Sequence, residues 1–95
     1  MSITRINVFS AKSDCRDELA KFLTDVIAVI RHADGCISCR LLADQMNPLE
    51  FVILEVWESV AAHQKAAGMI PKEQIASVML YLDKPPAGEY LSALS

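Results

Sequence analysis

Glu55, Trp57 and His63 fall within one short stretch, Phe51-Val52-Ile53-Leu54-Glu55-Val56-Trp57-Glu58-Ser59 and on to His63. A carboxylate inside such an apolar run has two readings. Burial raises its pKa and makes it a general base, or an arginine neutralises it and makes it a structural ion. Arg5 and Arg40 are the arginines at its level, and they favour the structural role. Trp57 is either the wall of an aromatic pocket or a core indole whose N–H has found a partner. His63 titrates near neutrality and can take up a proton, or it is a plain helix-surface or interface histidine. Asn7 offers an amide that can orient a hydroxyl or simply bridge strands.

Cys36-Ile37-Ser38-Cys39 has CxxC spacing. On a regular strand, positions three apart face opposite sides, so no shared metal and no local disulfide are expected. Redox CxxC pairs also normally sit at a helix N-terminus. Cys15 falls in an apolar helix stripe and is expected in the core. GxGxxG, P-loop and HExxH motifs do not occur. No metal site and no cofactor are therefore expected.

The elements that must position these residues read as follows. Residues 3–9 alternate as a strand. Ser13 or Asp14 caps a helix whose stripe is Cys15, Leu19, Phe22, Leu23, Val26, Ile27 and Ile30. Asp34-Gly35 ends it, with Gly35 as a left-handed cap. Cys36 to Asp44 is a second strand, Met46-Asn47-Pro48-Leu49 a turn, and Phe51 to Glu58 a third strand. Ser59 caps a short helix that stops at Gly68. Pro71 fits the first turn of another helix, with Ile75, Val78, Met79 and Leu82 at helical period. Pro85-Pro86-Ala87-Gly88 breaks that helix, and Tyr90 to Leu94 is a last strand or a frayed tail.

The order βαββαβ is the ferredoxin-like α+β plan, built on an antiparallel sheet, and residues 1–95 read as one such domain. The first and third strands are expected as central, parallel neighbours. Val52, Leu54 and Val56, with Ile6 and Val8, are expected to face the helices. Phe51, Ile53, Glu55 and Trp57, with Arg5, Asn7 and Phe9, are expected on the helix-free face. A hairpin around Asn47 would place Arg40 opposite Glu55 and Ser38 opposite Trp57. One helical layer covers only one face of such a strand, so a homodimer burying the Phe51/Ile53 face is expected.

Composition narrows the class. The chain has 95 residues, 53% of them hydrophobic, and a net charge of −3. Mean hydropathy is +0.28 and the pI about 5.2. High apolar content in so small a domain fits surface hidden in an oligomer. A mildly acidic chain lacks the footprint of a nucleic-acid binder. No apolar run approaches the roughly 20 residues of a membrane span. Residues 1–5 have no signal-peptide pattern, and three cysteines fit a reducing compartment, so a cytoplasmic location is expected.

Gly35-Cys36, Asp44 with Asn47-Pro48, Phe51-x-x-x-Glu55-x-Trp57-x-Ser59 and Ala62-His63 resemble the antibiotic biosynthesis monooxygenase family of dimeric α+β barrel proteins. Asn7 matches an asparagine on the first strand of several relatives. The resemblance implies a homodimer whose two sheets form a barrel. It also implies cofactor-independent oxygenation of a small aromatic, quinol or polyketide-like substrate by dioxygen. In that chemistry the electron-rich phenolate itself reduces dioxygen, while the protein binds, deprotonates and shields it. Trp57 and Phe9 would hold the ring, Asn7 and His63 would handle its oxygen, and Glu55 would hold Arg5 or Arg40. Haem-degrading relatives need a tryptophan and a histidine farther along the helical region, which this chain lacks. The same plan also serves non-catalytic binding or regulatory modules and proton-transfer isomerases.

Overall fold

The computed structural model describes residues 2–95. Its elements are β1 (Ile3–Ser10), α1 (Arg16–Ile30), β2 (Cys36–Ala43), β3 (Glu50–Trp57), α2 (Val60–Ala67), α3 (Lys72–Met79) and β4 (Ala87–Leu91). They form a ferredoxin-like α+β fold with one four-stranded sheet in the order β2-β3-β1-β4.

β1 and β3 are the central pair, but they run antiparallel rather than parallel. The connectivity requires this. α1 returns the chain so that β2 follows the direction of β1, and the β2–β3 hairpin then reverses it. That hairpin is tied by Asp44, whose Oδ1 accepts from the backbone N–H groups of Met46 (2.8 Å) and Asn47 (2.9 Å). Aspartate and asparagine suit such turns because the short side chain reaches the backbone just ahead of it.

The two faces of the sheet are the reverse of the sequence expectation. Phe51, Ile53, Glu55 and Trp57 are buried, whereas Val52, Leu54 and Val56 are only half-buried. α1 packs Leu19, Leu23 and Ile27 into a core with Phe9, Cys39, Phe51 and Ile53. Period two cannot decide between two apolar sets. Size decides it: the aromatic residues remove the most surface from water and take the helix-covered side. The expected dimer face at Phe51/Ile53 is thus the core of the subunit itself. The helix-free face carries Ile6, Val8, Val52, Leu54 and Val56 instead.

Register corrects two further expectations. Cys39, not Arg40, lies opposite Glu55; Arg40 lies opposite Leu54 on the helix-free face; and Ser38 lies opposite Val56. A register shift between Cys36 and Ser38 makes Ile37 an extra residue, a β-bulge. The bulge reverses the side-chain alternation, so Cys36 and Cys39 both lie on the helix side.

Helix ends differ in detail from the sequence reading. α1 is capped by Cys15, with no side-chain cap bond, rather than by Ser13 or Asp14. Cys15 is half-buried at this terminus, outside the core. α1 ends at Ile30, ahead of Asp34-Gly35, and Pro71 sits at the N-cap of α3 rather than in its first turn. β4 begins at Ala87 and pairs along the outer edge of β1. No helix of the described residues is long and apolar enough to cross a membrane.

Candidate functional site

Two backbone details fix the first part of the site. Gly35 has φ +86°, a conformation that strains any residue with a Cβ, and a Cβ there would come within 2.6 Å of Ala62 Cβ. The bare glycine lets α2 close down on the start of β2. Ser59 then starts α2, its Oγ accepting from the Ala62 N–H at 3.0 Å. These two contacts set His63 one turn into α2, beside the end of β3.

There the aromatic side chains stack edge to face. The rings of Trp57 and His63 lie 5.4 Å apart at 74°, and those of His63 and Tyr90 lie 5.4 Å apart at 76°. His63 Nδ1 and Tyr90 Oη are hydrogen-bonded at 2.6 Å. The Arg5 guanidinium lies over the Tyr90 ring, 4.9 Å from its centroid. Behind them the Trp57 Nε1–H donates to Glu55 Oε1 at 2.7 Å. The register explains the grouping: Arg5 pairs with Glu55 on one side and Tyr90 on the other, while Asn7 pairs with Ile53 and Gly88. Gly88 matters here because a Cβ at that position would collide with the Arg5 guanidinium.

Electrostatics follow from burial. Glu55 is 4% exposed, and its pKa is raised because burial disfavours the charged form, against opposing effects from the Trp57 N–H and Arg5. Glu55 has no ion pair among the described residues. The structural ion pair expected from sequence is therefore replaced by a carboxyl hydrogen-bonded to indole. The pKa of His63 is lowered, first by burial and then by the charge of Arg5. The imidazole is thus neutral at pH 7 and able to accept a proton. Two buried polar atoms, Arg5 Nε and Asn7 Oδ1, have no hydrogen-bond partner among the described residues. One is a donor and the other an acceptor, and they sit two positions apart on the same side of β1.

The sequence candidates thus divide. Arg5, Glu55, Trp57 and His63 meet in one cluster, with Asn7 next along β1. Phe9 belongs to the aliphatic core, and Arg40 lies on the opposite face. Tyr90 was missed by sequence reasoning, because its pairing with Arg5 becomes visible only once the edge register is known. All three cysteines are free, and burial pushes the Cys39 thiol up to about 12. No group of three or more His, Cys, Asp or Glu residues is placed to hold a metal ion among the described residues. The cluster is closed, with Trp57 only 1% exposed. Two surface concavities of about 240 Å³ each lie elsewhere, one between α1 and Tyr81, the other on the helix-free face beside Gly88.

The model of the antibiotic biosynthesis monooxygenase family matches residues 2–68. The chain belongs to this family. Solved structures share its fold along nearly their whole length. The Rv0793 protein of Mycobacterium tuberculosis is 28% identical, with a TM-score of 0.88 over 100% of this chain and 97% of that one. PA3566 of Pseudomonas aeruginosa is 20% identical, with a TM-score of 0.87 over 99% and 95%. SnoaB of Streptomyces nogalater, described as a cofactor-independent oxygenase, is 16% identical, with a TM-score of 0.83 over 99% and 94%. No curated protein matches the sequence. Tyr90 lies beyond the segment that the family model covers.

Proposed function

We propose that the chain is a cofactor-independent monooxygenase acting on a small electron-rich aromatic substrate, a quinol or polyketide-like phenol. Family membership supports the reaction class. The observation that carries the reading is the pair of unpartnered buried atoms, Arg5 Nε and Asn7 Oδ1, beside the Trp57–His63–Tyr90 stack. Buried polar groups are normally satisfied. A phenol or phenolate oxygen would supply Arg5 with an acceptor, and a ring hydroxyl would supply Asn7 with a donor.

In such a reaction the substrate loses two hydrogens, gains one oxygen atom of dioxygen and releases the other as water. The substrate is itself the reductant. The residues have only to bind it, remove its phenolic proton and keep water away. His63, neutral at pH 7, receives the proton, and the Arg5 charge favours the phenolate. Oxygen uptake with a panel of naphthoquinols and polyphenols tests this. The expected result is consumption above autoxidation that falls about 10²- to 10⁴-fold in His63→Ala. No excess consumption, together with no effect of His63→Ala, contradicts it.

A non-catalytic binding module that uses the same site without turnover is the second reading. Stabilisation by a naphthoquinol without turnover would identify it. Either reading works as a homodimer through the helix-free face, where Ile6, Val8, Val52, Leu54 and Val56 form an apolar surface that the helices leave uncovered. Sedimentation should show a dimer that Leu54→Lys dissociates; a monomeric native chain at micromolar concentration contradicts this.

A further inference from the structure

His63 does not stand alone as a base. Its Nδ1 is already engaged by Tyr90 Oη at 2.6 Å, and its ring is held between Trp57 and Tyr90. Of the bonded pair, Tyr90 is the more exposed partner, at 37%, and His63 lies behind it. A neutral imidazole with its proton on Nε2 accepts the Tyr90 hydroxyl proton at Nδ1 and leaves the lone pairs of Oη free. The Arg5 guanidinium, over the Tyr90 ring, stands where a nearby oxyanion would be favoured.

We propose that Tyr90 is a catalytic residue, the group that takes the proton of the substrate hydroxyl and relays it to His63. The substrate O–H bond breaks, and its electron pair stays on the substrate oxygen. A new O–H bond forms at Tyr90 Oη as the original Tyr90 proton crosses to His63 Nδ1. The products are a phenolate, a neutral tyrosine and an imidazolium. The anion, formed beside two cations, offsets the repulsion between Arg5 and the protonated His63. The relay deepens the phenol-oxygenase reading and rests on it. It assigns to β4, outside the family-model segment, the group that first meets the substrate.

4-Nitrophenol, which ionises near neutrality with a change of colour, tests the step without turnover. Its apparent pKa is measured when bound to the native chain and to Tyr90→Phe, His63→Gln and Tyr81→Phe. The expected result is a bound probe about one unit more acidic than free in the native chain and in Tyr81→Phe, a roughly tenfold change in the ratio of ionised to neutral probe. That shift should disappear in Tyr90→Phe and His63→Gln while the Kd for the neutral probe stays within about threefold, the hydroxyl adding little to a binding surface that is mostly ring. Equal ionisation in the native chain and Tyr90→Phe overturns the relay and leaves the phenol-binding site standing. No saturable binding to the native chain at millimolar probe overturns both.

Discussion

The helix-covered face of the sheet has two ends built on the same strands by different means. At one end Phe9, Phe51 and Ile53 meet Leu19, Leu23 and Ile27 in a dry aliphatic and aromatic core. At the other end, four residues earlier on β1 and later on β3, Arg5, Glu55 and Trp57 meet His63 and Tyr90 through polar and edge-to-face contacts. The dry end leaves no polar side chain to satisfy. The polar end keeps a raised carboxyl, a depressed imidazole and two unpartnered buried atoms. Stability is thus concentrated at one end, and local rules of satisfaction are relaxed at the other, as expected of a site reserved for a ligand.

Substitutions should separate the two ends. The largest effect is expected at the dry end: Leu23→Ala should cost about 2–5 kcal/mol in chemical denaturation, with the chemistry of the folded fraction unchanged. A change in the rate per folded molecule would mean that the ends are not independent.

Glu55 comes next. Glu55→Leu removes the acceptor of the buried Trp57 N–H and should cost about 1–3 kcal/mol. Glu55→Gln keeps an acceptor and removes the charge. A carboxyl whose folded pKa is raised contributes stability that is full below its unfolded value and is lost as pH rises through the folded value. Glu55→Gln should therefore gain stability over the native chain with rising pH, read as Tm between acidic and neutral buffers. His63 has the opposite sign: its lowered pKa gives stability present above its ordinary value and lost as pH falls. A Tm difference between Glu55→Gln and native that does not vary with pH would deny that Glu55 titrates in the fold.

The smallest stability effect is expected at Gly88→Ala. The atoms nearest the added methyl all belong to the flexible end of Arg5, so the fold should shift by less than about 0.5 kcal/mol. Displacing the guanidinium from Tyr90 should nevertheless weaken naphthoquinol binding. Unchanged affinity would remove Arg5 from the site.

Much of this arrangement was legible in the sequence. Ser59 marks the start of α2, Gly35 is left-handed as its type suggests although α1 ends at Ile30 ahead of it, and Glu55, Trp57 and His63 are side chains that the fold brings together. Three things were not legible, each for a physical reason. Both alternating sets of β3 are apolar, so period two cannot choose the inner face, and the carboxylate in one set points wrongly to the outer one. The hairpin turn between Asp44 and Glu50 sets the register that puts Arg40 opposite Leu54, the bulge at Ile37 brings Cys36 and Cys39 to one side, and nothing local in Cys36-Ile37-Ser38-Cys39 signals a bulge. Tyr90 joins the site through edge pairing with β1, a tertiary contact that a short exposed strand does not advertise.

Trp57 is the single tryptophan of the chain and stands inside the polar end of the face. Its fluorescence, titrated with a naphthoquinol under nitrogen, is therefore the most direct test that this end is a ligand site. Saturable quenching that is lost in Arg5→Ala and retained in Leu42→Ala, on the helix-free face, is the expected result. Emission that does not change up to millimolar ligand, or that changes equally in both variants, contradicts the account.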